Sequence, residues 1–187
     1  NNPVNRGDPL GLYQRDFHYH VVYYLAYLAL GSPSRAQTIA RSSQFVDDFG
    51  RTEPVPLAVW NARAPSFQHG VLQPFHFVSP QGELVRRASS PGNNPVADYL
   101  LGRVLGGNDD VQLGVFLHSL ADTFSHEDFI GQQDPRNDRG KTGSLREIGH
   151  GEAGTAPDLP YNDYDKATEA AKRVFEVLTD YSLRTGG

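Results

Sequence analysis

Three short segments carry side chains able to bind a metal ion: Asp16-Phe17-His18-Tyr19-His20, then His118-Ser119-Leu120-Ala121-Asp122-Thr123-Phe124-Ser125-His126, and finally Gly149-His150-Gly151-Glu152. The middle one says most. A helix over residues 111–129 would set His118, Asp122 and His126 on one stripe, since residues four apart lie one above the other. Two imidazoles and a carboxylate aimed at one point are zinc-type donors, and the two oxygens of a carboxylate between them can each meet a different ion. A lone helical histidine is more often packed or solvated than a ligand. Here most of the seven histidines lie in segments that also hold an acidic residue, and the grouping argues for a metal site with at least two ions.

Composition sets the outer limits. A chain of 187 residues, 38% hydrophobic and 11% aromatic, can bury a sizeable core as one domain. It has no cysteine, so any metal must be held by His, Asp and Glu. The formal net charge of -5 argues against a generally basic surface for polyanions. The longest apolar run, Val21 to Leu30, is too short to span a bilayer. Neither a transmembrane segment nor a signal peptide is expected.

Positioning these donors falls to helices, and the fold class expected is mainly α, a compact helical domain with long loops. Apolar residues at 17, 21, 25 and 28 predict a helix over Phe17–Leu30 with His18 and His20 in its first turn. Ser32 and Pro33 predict the cap and first position of a second helix running to about Asp47. Residues 50–93, rich in Pro and Gly, read as a long loop with room for short strands; it holds His69 and Phe75-His76-Phe77. Asn94-Pro95 opens a short helix ending at Gly106-Gly107, and Asn108 or Asp109 caps the helix of His118. A loop over 131–160 carries Arg136, Arg139, Lys141, Arg146, His150 and Glu152, and a last helix over about 163–183 presents Ala167, Ala171, Val174, Leu178 and Tyr181 to the core.

The first residues have a signature of their own. With no methionine in the chain, residue 1 is not expected to be a translation start, and the chain reads as a piece of something longer. Pro3-Val4-Asn5-Arg6-Gly7-Asp8-Pro9-Leu10-Gly11-Leu12 follows the pattern P-x4-D-P-x-G-L, which resembles the end of the shell in rearrangement-hotspot (Rhs) repeat and toxin-complex proteins. The resemblance implies that Asp8 is an autoprotease aspartate, that cleavage follows Leu12, and that residues 13–187 form a toxin domain released from the shell. A second acidic residue of that protease comes from upstream in those families, so this chain alone should not cut itself. The resemblance also implies secretion, delivery into a target cell and a cognate immunity protein.

A second resemblance covers residues 16–164. The strings around His18-Tyr19-His20, Ile39 to Asp48, Leu117 to His126 and Ile148 to Tyr161 look like an uncharacterised bacterial family, itself similar to the zinc-dependent phospholipase C and single-strand zinc nuclease superfamily. That superfamily is helical and holds three zinc ions. Carried over by position, it implies His18 or His20 as first ligand, Asp47 or Asp48 as bridging aspartate, and His69 or His76 as the next histidine. His118 and Asp122 match its His-x3-Asp element directly. His126 follows after three residues where the pattern usually has five, His150 fits the late histidine, and Glu152 stands two residues after it where the pattern spaces its acid by four. Two or three zinc ions are therefore expected, with Asp158 as an alternative outlying carboxylate.

The chemistry this implies is phosphodiester hydrolysis, in which zinc activates a bound water and Asp47 or Asp48 orients it or takes its proton. Arg146 is a candidate for a phosphate oxygen. The scarcity of positive charge and the aromatic loop Phe75-His76-Phe77 favour a phospholipid substrate. A zinc nuclease acting on DNA or RNA is the alternative, and a metal-stabilised interaction domain without catalysis the second. In the phospholipase branch a freed N-terminal amine binds zinc, so cleavage after Leu12 would offer the amine of Tyr13.

Overall fold

The helix that carries His118 is the most deeply buried element of the molecule. The computed structural model describes residues 15–54, 64–138, 147–150, 157 and 159–186. The helix α5 (Asp110–Ser125) runs through the middle of the core, and every residue from Phe116 to Ser125 is buried. Its start is fixed by Asp109, whose carboxylate accepts from the N–H groups of Val111 and Gln112 at 2.8 and 3.2 Å. Leu113, Leu117, Leu120 and Phe124 are removed from solvent almost completely, each contributing about 1.5–3 kcal/mol of burial.

The helices α2 (Pro33–Asp48), α4 (Pro95–Leu105) and α6 (Tyr164–Thr185) pack on α5, the last two through Ala97 and through Ala170, Val174, Val177, Leu178 and Tyr181, and α1 (Val22–Leu30) lies against α2 and α6. A short helix, α3 (Pro65–Phe67), runs on into a π-helical stretch, π2 (Gln68–His76), and a 3-10 turn spans Pro135–Asn137. The molecule is mainly α, as its sequence predicts. Among the described residues there is no strand, only an isolated antiparallel bridge between Gln133 and Ile148. No helix among them is long and apolar enough to cross a membrane.

The α2–α5 crossing decides where the histidines end up. A Cβ on Gly114 would lie 2.3 Å from the Ile39 carbonyl oxygen and 2.6 Å from the Ser42 Cβ, so only glycine lets α5 meet α2 backbone to backbone. That close approach brings Asp47, at the end of α2, beside His118, one turn along α5.

The caps follow the sequence. Ser32 accepts from the Arg35 N–H, Asn94 from that of Ala97 and Asp163 from that of Lys166, and Pro stands first in α2 and α4.

Two expectations are corrected. The first helix opens as a π-helical stretch, π1 (Asp16–Val21), whose wider turn shifts the register. Its buried stripe is therefore Phe17, His18, Val22, Ala26 and Leu30, while Leu28, expected in the core, is exposed. The span 50–93, read as a loop with short strands, contains α3 and π2, because Pro74 and Gly70 sit inside a widened helix that a loop reading of Pro and Gly does not anticipate.

Candidate metal centre

Six of the expected donors are removed from solvent together: His18 and His118 are 0% exposed, His76 and Asp122 1%, His126 3% and Asp47 5%. They arrive from four elements. π1 supplies His18, α2 supplies Asp47, π2 supplies His76, and α5 with its C-cap residue supplies His118, Asp122 and His126. Two of the histidines thus come from π-helical stretches, which recur at functional sites because the extra residue in the turn re-aims a side chain.

Four donor atoms converge. Nδ1 of His76 lies 3.1 Å from Asp122 Oδ2, 3.2 Å from His118 Nε2 and 3.9 Å from Asp47 Oδ1. Nε2 of His118 lies 3.3 Å from Asp122 Oδ2 and 3.5 Å from Asp47 Oδ1. A tetrahedral zinc with ligands at about 2.0–2.1 Å separates them by about 3.3–3.4 Å. The three distances among His76, His118 and Asp122 lie close to that value, and Asp47 stands farther out. The other oxygen of Asp122, Oδ1, lies 3.2 Å from His18 Nε2, and the rings of His18 and His118 are 4.0 Å apart. Two triplets, His76–His118–Asp122 and His18–Asp47–His118, each bring their donor atoms within 4.8 Å of one another, with His118 common to both.

The donor set fits a cation on independent grounds. Asp47 Oδ2 and His118 Nδ1 are buried and make no hydrogen bond. Each such atom costs about 1–3 kcal/mol if left unsatisfied. A positive ion beside Asp47 would offset the burial of its carboxylate. His76 is also prepared for the task, because its Nε2–H donates to the Thr52 carbonyl oxygen at 2.7 Å and so turns Nδ1 inward. Buried histidines that could hold a metal ion together with Asp47 and Asp122 are therefore a property of this fold.

The electrostatics divide the two aspartates. Burial pushes the Asp47 carboxyl up to about 6, against the pull of His118 and His76. Burial acts the same way on Asp122, but His118 and His126, with hydrogen bonds from His118 and His18, hold it well below the usual carboxylate range. For His76, burial opposes the charge and the hydrogen bond and field of Asp122 outweigh it, so its pKa is raised. Burial lowers His118, helped by the neighbouring His18, and burial lowers His126.

The remaining expected residues fall into three groups. His20, Asp48 and His69 are exposed, on the faces of π1, α2 and π2 that turn away from the core; His69 bonds Gln73 at 2.8 Å and Asp48 accepts from Gln44 at 3.2 Å. His18, Asp47 and His76 are thus the members of each pair that reach the cluster. His126 and His150 form a second layer. His126 caps the helix and stays on the stripe, its Nδ1 3.7 Å from Asp122 Oδ2; its Nδ1–H donates to the His76 carbonyl oxygen, and its ring stacks on those of Phe77 at 4.4 Å and His150 at 4.7 Å.

The approach of His150 depends on Gly149, whose φ of +49° suits glycine and whose added Cβ would meet Phe77 at 2.5 Å. Asn137, fully buried, ties that loop down through Ile130, Gln132 and Glu147. Asp8, Arg146, Glu152 and Asp158 lie outside the described residues.

Phe75-His76-Phe77 is not the exposed aromatic loop the sequence suggested. Phe77 is buried, and Phe75 helps line an apolar groove of about 530 Å³ with Tyr99, Leu100, Val104 and Phe116. Sequence reasoning also missed Thr52, whose backbone carbonyl orients His76; a main-chain acceptor leaves no trace in residue types.

A family profile matches residues 13–177, nearly the whole of the chain. The chain belongs to that family, a family of unknown function (DUF6765). All six donors of the cluster, and His150 beside them, fall within the span shared with the family. No curated protein and no solved structure matches the chain at a significant level.

Proposed function

We propose that this chain is a zinc-dependent phosphodiester hydrolase of phospholipase C-like activity, acting as the released toxin domain of a larger Rhs-type or toxin-complex protein. The convergence of His76 Nδ1, His118 Nε2 and Asp122 Oδ2 at the spacing of zinc ligands, with Asp47 beside them, carries the reading. His76, His118 and Asp122 would hold one ion, and His18 and Asp47 would contribute to a second beside it. Zinc bound there supplies an activated water and charge to stabilise the phosphodiester as it is attacked.

The protein's own part is division of labour between two carboxylates. Asp47, whose carboxyl burial pushes up to about 6, gives up its proton as an ion binds. Asp122, held ionised, keeps a fixed negative charge among the histidines. His76 is held in one orientation by the Thr52 carbonyl and His126 by the His76 carbonyl, so the cluster is preorganised by the main chain.

A phospholipid substrate is supported by the net charge of -5 and by the apolar groove at Phe75, the neighbour of His76. Release from a shell, with a cognate immunity protein to restrain it, rests on the Pro3 to Leu12 motif; the family match starts at residue 13, the first after that motif. The test is to incubate zinc-loaded protein with phospholipid vesicles and, separately, with single-stranded DNA and RNA. Release of a phosphorylated headgroup, lost in His118→Ala, is expected. Nucleotide release with intact lipid would make it a nuclease, and no turnover of either would leave a metal-stabilised interaction domain.

A further inference from the structure

Three contacts meet at Thr52, in the turn that follows α2. Its hydroxyl donates to the Val46 carbonyl oxygen at 2.7 Å, one residue before Asp47, and more weakly to that of Phe49 at 3.3 Å. Its own N–H bonds the Phe49 carbonyl oxygen at 2.7 Å, which folds the turn back over the end of the helix. Its carbonyl oxygen in turn accepts the Nε2–H of His76 at 2.7 Å. One residue therefore fastens the last turn of α2, which carries Asp47, to the ring of His76, which comes from π2.

We infer that Thr52 is a positioning residue for the metal centre, fixing the end of α2 that carries Asp47 relative to the ring of His76. The inference rests on the metal-binding reading above. The physical reasons are two. The last carbonyls of a helix have no partner within it, so the end of α2 is free to fray unless something outside holds it. The Thr52 hydroxyl holds Val46, and the 3.9 Å gap between Asp47 Oδ1 and His76 Nδ1 is then bridged on the outside by a chain of short hydrogen bonds. A neutral histidine that gives its Nε2–H to a carbonyl has its lone pair on Nδ1, the atom facing Asp122 and His118. Thr52 thereby selects both the place of one ligand and the tautomer of the other.

Thr52→Val keeps the shape and the backbone carbonyl and removes only the hydroxyl, while Thr52→Ser restores the hydroxyl without the methyl. Zinc and cobalt affinities would be measured on wild type and both variants by competition with a chelator, with the visible spectrum of the cobalt form recorded alongside. We expect Thr52→Val to bind about 10–100-fold more weakly with an altered cobalt spectrum, and Thr52→Ser to return to within about 3-fold of wild type. Circular dichroism of the chelated proteins separates this from loss of fold. Wild type that binds while Thr52→Val binds equally well, or Thr52→Ser as weak as Thr52→Val, would overturn the role of Thr52 alone. Wild type that binds neither ion would overturn the metal centre and this role with it.

Discussion

His118 Nε2 and Asp47 Oδ1 lie 3.5 Å apart across the crossing of α5 and α2, and the crossing is as close as it is because residue 114 has no side chain. Packing and ligand geometry are therefore coupled. In Gly114→Ala the new methyl must push against the Ile39 carbonyl and Ser42, which costs about 1–3 kcal/mol of stability. Because the two helices part at the site, zinc affinity should also fall, by about 10–100-fold. Chemical denaturation and a chelator competition on the same variant check both.

The paired candidates give a sharper test. Replacing His18, Asp47 or His76 by Ala should reduce bound zinc strongly, whereas the same change at His20, Asp48 or His69 should leave the zinc content of the protein unaltered. The two members of each pair differ in burial and hardly at all in sequence context. Metal analysis of the six variants decides it.

Zinc binding should release protons. His76 is raised by Asp122 and Asp47 despite its burial, and Asp47 is raised to about 6 by its burial, so both must give up protons to become ligands. Affinity should therefore fall as pH drops through about 6 and rise above it. Calorimetry in buffers of different ionisation enthalpy should report proton release on the order of one per ion near neutrality.

How much of this was legible in the sequence depends on what kind of information each residue carries. Ser32-Pro33, Asn94-Pro95 and Asp109 announced their helices because capping is local chemistry. His118 and Asp122 were readable from a spacing of four in a helix that is regular as far as Ser125. The choice between His18 and His20 was not, because it depends on a π-helical turn whose extra residue rotates the whole stripe, and a period of 3.6 cannot reveal that. His76 over His69 was hidden for the same reason, inside a segment whose Pro74 spoke for a loop. The stacking of the His126 ring on Phe77 and His150 was not legible, because those partners come from distant segments of the chain.

A control lies at the other end of the core. Tyr181 donates to Asp110 at 3.0 Å, and burial followed by the nearby Asp110 carboxylate pushes its phenol up to about 12. Between its unfolded value near 10 and about 12, the folded protein keeps a proton that the unfolded chain gives up, so this contribution is present below pH 10 and is lost as pH rises through about 12. Tyr181→Phe should remove the last step of an ultraviolet titration and cost about 1–2 kcal/mol, with zinc affinity unchanged.

The central claim is that the buried His/Asp cluster is a metal centre, and metal content tests it most directly. Protein purified without chelator should carry about two zinc-type ions per chain, and Asp122→Ala, which removes the carboxylate facing His18 on one side and His76 and His118 on the other, should carry none. Untreated wild-type protein that contains no metal, and takes up none from an excess of zinc, would contradict the claim.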